Sequence, residues 1–166
     1  MRKRIYLLIS ILIIIPVVVV LFSETNRQTN PPINPLHTLE SNISTPPEID
    51  ALLHRSCYNC HSDETHWPLL SRLPVVSSQI ARDVQRARGV MNFSEWSVQA
   101  GRRPDLAAST LLAACTVLQT HQMPKRRYLL MHPDAWVTDK DANQFCQWAK
   151  SEAKVLVATN SAAPSR

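Results

Sequence analysis

The stretch Ser56, Cys57, Tyr58, Asn59, Cys60, His61 places two of the chain's four cysteines three residues apart, with a histidine directly after the second. On a helix, residues at i, i+3 and i+4 project to one side. The two thiols and the imidazole can therefore meet one flat macrocycle: Cys57 and Cys60 through thioether bonds to the vinyl groups of a haem, His61 as the ligand to its iron. Cys-x-x-Cys-His is the sequence sign of c-type haem attachment. Three other uses compete. A structural zinc site needs four ligands, and Cys115 and Cys146 are single residues and not a second close pair. A thioredoxin-like redox pair needs a preceding strand and a βαβ context, and neither is legible. The third is a disulfide or buried thiols with His61 incidental.

One axial ligand leaves the other side of the iron open. Met123 is the leading candidate for the distal position, because it follows a helix, Pro124 stiffens its loop, and a thioether raises the potential of His-ligated iron. Core filling is the ordinary use of methionine. His121, His66, Met131 and His132 are alternatives, as is an open site. Trp67, Trp96 and Tyr128 carry polar ring atoms able to hydrogen-bond haem propionates, and Arg88 can neutralise one; helix packing and a solvated charge compete with those roles. Tyr58 and Asn59 read as solvent-facing filler. For Cys115 and Cys146, a bridge competes with two buried free thiols. Lys125, Arg126 and Arg127 form a basic cluster that can steer an acidic redox partner or face a membrane.

These residues must be carried by helices. Two glycines against twelve prolines do not suit a fold of many short strands, which needs glycine-bearing turns. Thr45 to Glu48 reads as a helix start, and Ile49, Leu52, Leu53, Cys57 and Cys60 follow on one face. Ser77 or Ser78 caps a second helix with Ile80, Val84 and Ala87 along one stripe, ended by Gly89. Residues 92–96 form a turn with aromatic anchors. A third helix runs from Asp105 to Leu118, burying Ala107, Leu111, Ala114, Cys115 and Leu118. The last begins at Thr138 with a capping box completed by Asp141 and carries Ala142, Phe145, Cys146 and Ala149 inward.

The chain has 166 residues and a formal net charge of +5, enough for one domain with appendages. Arg2, Lys3 and Arg4 precede an uncharged run from Ile5 to Phe22, which as a helix rises about 27 Å, nearly a bilayer core. Its bulky end does not suit signal cleavage. The expectation is a basic cytoplasmic end and transmembrane signal-anchor over 1–22, an extracytoplasmic Pro/Asn/Thr linker over 23–47, a c-type haem-binding domain over 48–152 and a flexible tail over 153–166. That places the chain in a bacterial inner membrane as a single pass, with its C-terminal domain in the periplasm. An extended arm packed on the domain competes with the linker. Nucleic acid is not an expected partner.

Taken together, the order helix, Cys57-to-His61 motif, loop, helices, Met123–Pro124, final helix resembles the small mono-haem cytochrome c fold, whose first and last helices pack against each other. It is most similar to the cytochrome c-like proteins known as the haem-binding-domain family. The strings that carry the resemblance are Cys57 to His61, Glu64 to Pro68, Asp83–Val84, Arg88 with Asn92 to Trp96, Met123–Pro124, Tyr128 and His132–Pro133, within Glu48 to Trp148. It departs from the family at Leu69–Leu70, where aromatic residues are usual, and at Lys125, where a second proline often stands. The resemblance implies an all-helical domain with one covalent haem c, His61 proximal and Met123 distal to the iron. With both residues bound the iron would be six-coordinate, so the expectation is one-electron transfer with a membrane-associated redox partner or within a larger membrane complex. A haem-based ligand sensor, a peroxidase-like enzyme with an open distal site and a structural haem-bearing subunit are the rival readings.

Overall fold

In the computed structural model, which describes residues 2–25 and 28–162, every regular element is helical. They are α1 (Arg2–Thr25), α2 (Leu39–Asn42), α3 (Pro47–Ser56), α4 (Tyr58–His61), α5 (Pro74–Val90), α6 (Trp96–Arg102), α7 (Pro104–Gln119), α8 (Arg126–Leu129) and α9 (Asp139–Ala162), with short 3-10 turns between. Residues 163–166, the end of the expected flexible tail, lie outside the described residues. From 153 to Ala162 the chain continues α9.

Among the described residues no helix is long and apolar enough to cross a membrane. This corrects the expectation of a transmembrane anchor helix over 1–22, and with it the single-pass inner-membrane location with a periplasmic domain. Helix α1 holds Arg2, Lys3 and Arg4 in its first turn and Pro16 in its interior.

The segment expected as a linker is packed on the domain from Asn30 onward. Asn30 donates to the Thr65 carbonyl at 2.9 Å and accepts from Trp67 Nε1 at 2.9 Å. His37 meets Glu95 at 3.2 Å, and Leu39 on α2 is 0 % exposed within the main apolar cluster. Burying one leucine stabilises by about 2 kcal/mol, enough to hold a short arm whose polar composition otherwise argues for freedom.

The core forms where α7 and α9 lie along each other and α3 crosses α9. Leu53, Phe93, Leu111, Val137 and Phe145 are among its largest fully buried side chains. Cys115 on α7 and Cys146 on α9 are joined as a disulfide. Arg55 on α3 reaches Asp141 on α9 at 3.1 Å, and Trp148 Nε1 donates to the Ser44 carbonyl at 3.4 Å.

Helix ends differ in part from the expected ones. Thr45 does not cap α3, whose first turn starts behind Pro46 and Pro47. Proline at the first helical position gives α5 its start at Pro74, three residues ahead of Ser77. Gly89 lies inside that helix without a left-handed φ, and the helix ends at Val90. At α9 the capping box is formed as expected: the Asp141 N–H donates to Thr138 Oγ1 at 3.1 Å and the Thr138 N–H to Asp141 Oδ2 at 3.0 Å.

Two outcomes follow from these contacts. The bridge closes a segment of sequence separation 31, so replacing Cys115 and Cys146 together by serine is expected to lower the unfolding free energy by about 3 kcal/mol, read from denaturant titration. Burial pushes the Asp141 carboxyl up, but Thr138 and Arg55 outweigh it and hold it below its usual value. The cap is therefore complete above about pH 4 and is lost as pH falls through that depressed value. Asp141→Ala is expected to cost about 1 kcal/mol at neutral pH, with the gap to wild type closing in acid.

Candidate functional site

Helix α3 stops at Ser56 because Cys57 adopts φ −122°. One new turn then forms, closed by the Cys60 and His61 N–H groups on the Cys57 carbonyl at 3.0 and 2.9 Å. The break resets the helical phase. Cys57, Cys60 and His61 face a cavity, while Tyr58 turns into the core, buried and stacked on Phe93 at 5.0 Å, with its hydroxyl donating to Glu40. Asn59 donates to Tyr128 Oη at 3.1 Å and accepts from the His66 N–H at 2.7 Å. Tyr58 and Asn59 are therefore structural, which corrects their reading as solvent-facing filler; a phase change inside the motif is invisible to a periodicity argument.

Cys57 and Cys60 are free thiols. Burial chiefly, with Cys60 adding and Arg55 opposing, pushes Cys57 up to about 12. Burial and then Asp83 raise Cys60 against Lys125, Arg88 and Arg127. Both are protonated at neutral pH, whereas soft-metal binding requires thiolate. With Cys115 and Cys146 spent in the disulfide, a four-cysteine zinc site is ruled out.

His61 Nδ1 lies 3.0 Å from the Met91 carbonyl. A carbonyl only accepts, so Nδ1 carries the proton and Nε2 keeps its lone pair. Burial lowers the His61 pKa more than the Met91 and Ala87 carbonyls raise it, with Lys125 lowering it further. The imidazole is thus neutral, the form that ligates a metal.

The Met91 carbonyl is itself fixed by its neighbours. The Asn92 N–H donates to Gln99 Oε1 at 3.0 Å, and the Asn92 side chain donates to both Asp63 oxygens at 3.3 Å while accepting from the Ser94 N–H at 3.0 Å. Buried Asp63 pairs with Arg88 at 3.2 Å. Arg88 also donates to the Ser62 carbonyl at 2.8 Å, to Thr65 Oγ1 at 3.0 Å and to Asn30 Oδ1 at 3.1 Å.

The cavity measures about 1020 Å³. Ile80, Val84 and Ala87 of α5 face Ala113, Ala114 and Val117 of α7 across it, apolar walls with few polar groups, as small-molecule sites have. Met123 lines it at 36 % exposure. The loop bearing Met123 is shaped by the end of α7: His121 takes a left-handed φ of 52°, its N–H bonds the Leu118 carbonyl at 3.1 Å, and the Gln122 N–H bonds the Val117 carbonyl at 2.9 Å. These are the paired bonds of a Schellman end.

Cys57, Cys60, His61, Met123 and Tyr128 are thus brought together on one cavity. His66, Met131 and His132 line it too, His132 stacked on Tyr128 at 4.3 Å. His121 does not: it stacks on Trp136 at 5.6 Å and meets Asp139 at 3.3 Å. Arg88, Trp67 and Trp96 are also absent from the lining. Arg88 and Trp67 are engaged in the hydrogen bonds above, and Trp96 is 2 % exposed in the core. One cavity residue to which sequence reading gave no role is Asp83, which takes Lys125 at 2.9 Å and also Arg127. Two of the three residues of the basic cluster are thereby paired with one carboxylate while their side chains stay exposed.

A cavity of this volume, with two adjacent thiols, a neutral imidazole and a thioether on its walls, fits a flat iron macrocycle. The family model described as a haem-binding domain matches residues 14–151, so the macrocycle is a haem. No curated protein and no solved structure matches the chain.

Ala87 stands on the cavity wall beside His61, so Ala87→Trp fills haem space while leaving the α7–α9 core untouched. Haemin titrated into ligand-free protein and followed by absorbance is expected to bind wild type at one equivalent and the variant at least about tenfold more weakly, the size of overpacking a tight site.

Proposed function

We propose that this chain, which belongs to the haem-binding domain family, carries one covalently attached haem c and passes single electrons to or from a protein partner. The observation that carries the reading is the shared cavity of Cys57, Cys60, His61 and Met123. A bound haem supplies a one-electron couple at its iron; the chain supplies everything that tunes and holds it.

Cys57 and Cys60, three residues apart on one turn, would hold the macrocycle by thioether bonds. His61 is the proximal ligand, and the Met91 carbonyl keeps its Nδ1 proton in place so that Nε2 donates to the metal without a change of tautomer. Met123 is the distal ligand, and its sulfur favours the reduced state. The apolar α5 and α7 walls exclude water, which keeps reorganisation on electron transfer small and disfavours excess charge at the metal.

The partner meets the cavity mouth. Val90 and Met131, both cavity-lining, are exposed there. Arg82 and Arg86 add positive charge along exposed α5 positions, in a chain of net charge +5. An acidic redox protein is therefore steered to this face, faster at low salt.

In protein made with a haem-ligation system, the haem is expected to stay with the polypeptide through acidified organic extraction and to raise its mass by one haem; Cys57→Ala with Cys60→Ala frees it. A sulfur-to-iron charge-transfer band in the near infrared of the oxidised form is the expected signature of Met123, and Met123→Ala abolishes it. A colourless product of unmodified mass would refute covalent attachment.

A further inference from the structure

Met123 is held from both sides. Before it, the Schellman end of α7 fixes Gln122, whose N–H and that of Met123 both reach the Val117 carbonyl, at 2.9 and 3.3 Å. After it comes Pro124, whose ring fixes φ, and then Lys125. Lys125 Nζ donates to Asp83 Oδ1 at 2.9 Å, and Arg127 donates to Asp83 Oδ2. Asp83 belongs to α5, the wall that also carries Ala87 and ends one residue before Met91, and its side chain is 16 % exposed. One carboxylate thus draws two cations, two and four residues past Met123, onto the helix across the cavity, and all four residues line that cavity.

We infer that Asp83 is a positioning residue for the distal side of the haem: by binding Lys125 and Arg127 it latches the 123–127 segment to α5 and so holds the Met123 sulfur at the metal. The inference rests on Met123 being the distal ligand, and it assigns Asp83 a task beyond that of an ordinary surface ion pair. The tie of Lys125 to α5 is ionic and partly exposed, and such a tie weakens with salt.

The test uses the full haem-loaded chain, reading the near-infrared band of the oxidised form and the rate of carbon monoxide binding to the reduced form. Asp83→Asn is expected to weaken the band and to speed carbon monoxide binding about fivefold, the size of partly exposed ion pairs. Asp83→Glu restores most of both, and raised salt moves wild type towards Asp83→Asn. An Asp83→Asn protein with wild-type band and rate, alongside a Met123→Ala protein that differs in both, overturns the latch alone. Wild type indistinguishable from Met123→Ala overturns the distal ligand and the latch with it. If Asp83→Asn does not accumulate, Lys125→Gln with Arg127→Gln removes the same contacts from the other side and is read the same way.

Discussion

The hydrogen bond between His61 Nδ1 and the Met91 carbonyl is the contact on which the site depends. It selects the tautomer, aligns the ring and joins the single turn α4 to the end of α5. Around it the chain places a buried polar frame in which Asp63, Arg88, Asn92 and Ser94 satisfy one another. Such a frame is rigid only when every member is paired, and no described buried side-chain polar atom lacks a partner. The cost of burying Asp63 and Arg88 is offset by these bonds, and the return is a fixed carbonyl opposite a fixed imidazole.

Much of this was legible in residue order. The spacing of Cys57, Cys60 and His61 names the chemistry because it is local, and Thr138 with Asp141 names a helix start for the same reason. The α7 and α9 stripes gave the buried faces that bring Cys115 to Cys146. What stayed hidden was longer in range or phase-dependent. Arg88, Trp67 and Trp96 have the right chemistry for propionates, yet each is claimed by partners far along the chain. Tyr58 is buried where the helix restarts after Cys57, and Asp83 gains meaning only when Lys125 and Arg127 reach it from far along the chain.

The amino-terminal arm shows how composition misleads. Asn, Thr and Pro between residues 28 and 47 carry little apolar surface, which argues for a free linker. A single buried Leu39 and a few directed hydrogen bonds from Asn30 and His37 are enough to seat it. Asn30 touches both Trp67 and Arg88, so the arm closes the outer side of the polar frame.

The bridge between α7 and α9 also settles the accounts of sulfur chemistry in this chain. Of four cysteines, two are joined in the core, where their buried sulfurs are shielded from attack by the remaining pair. Cross-pairing, the usual hazard for a protein that must keep a reactive dithiol while oxidising another, is removed by the architecture. The dithiol of Cys57 and Cys60 is left with a choice between closing on itself and accepting a macrocycle.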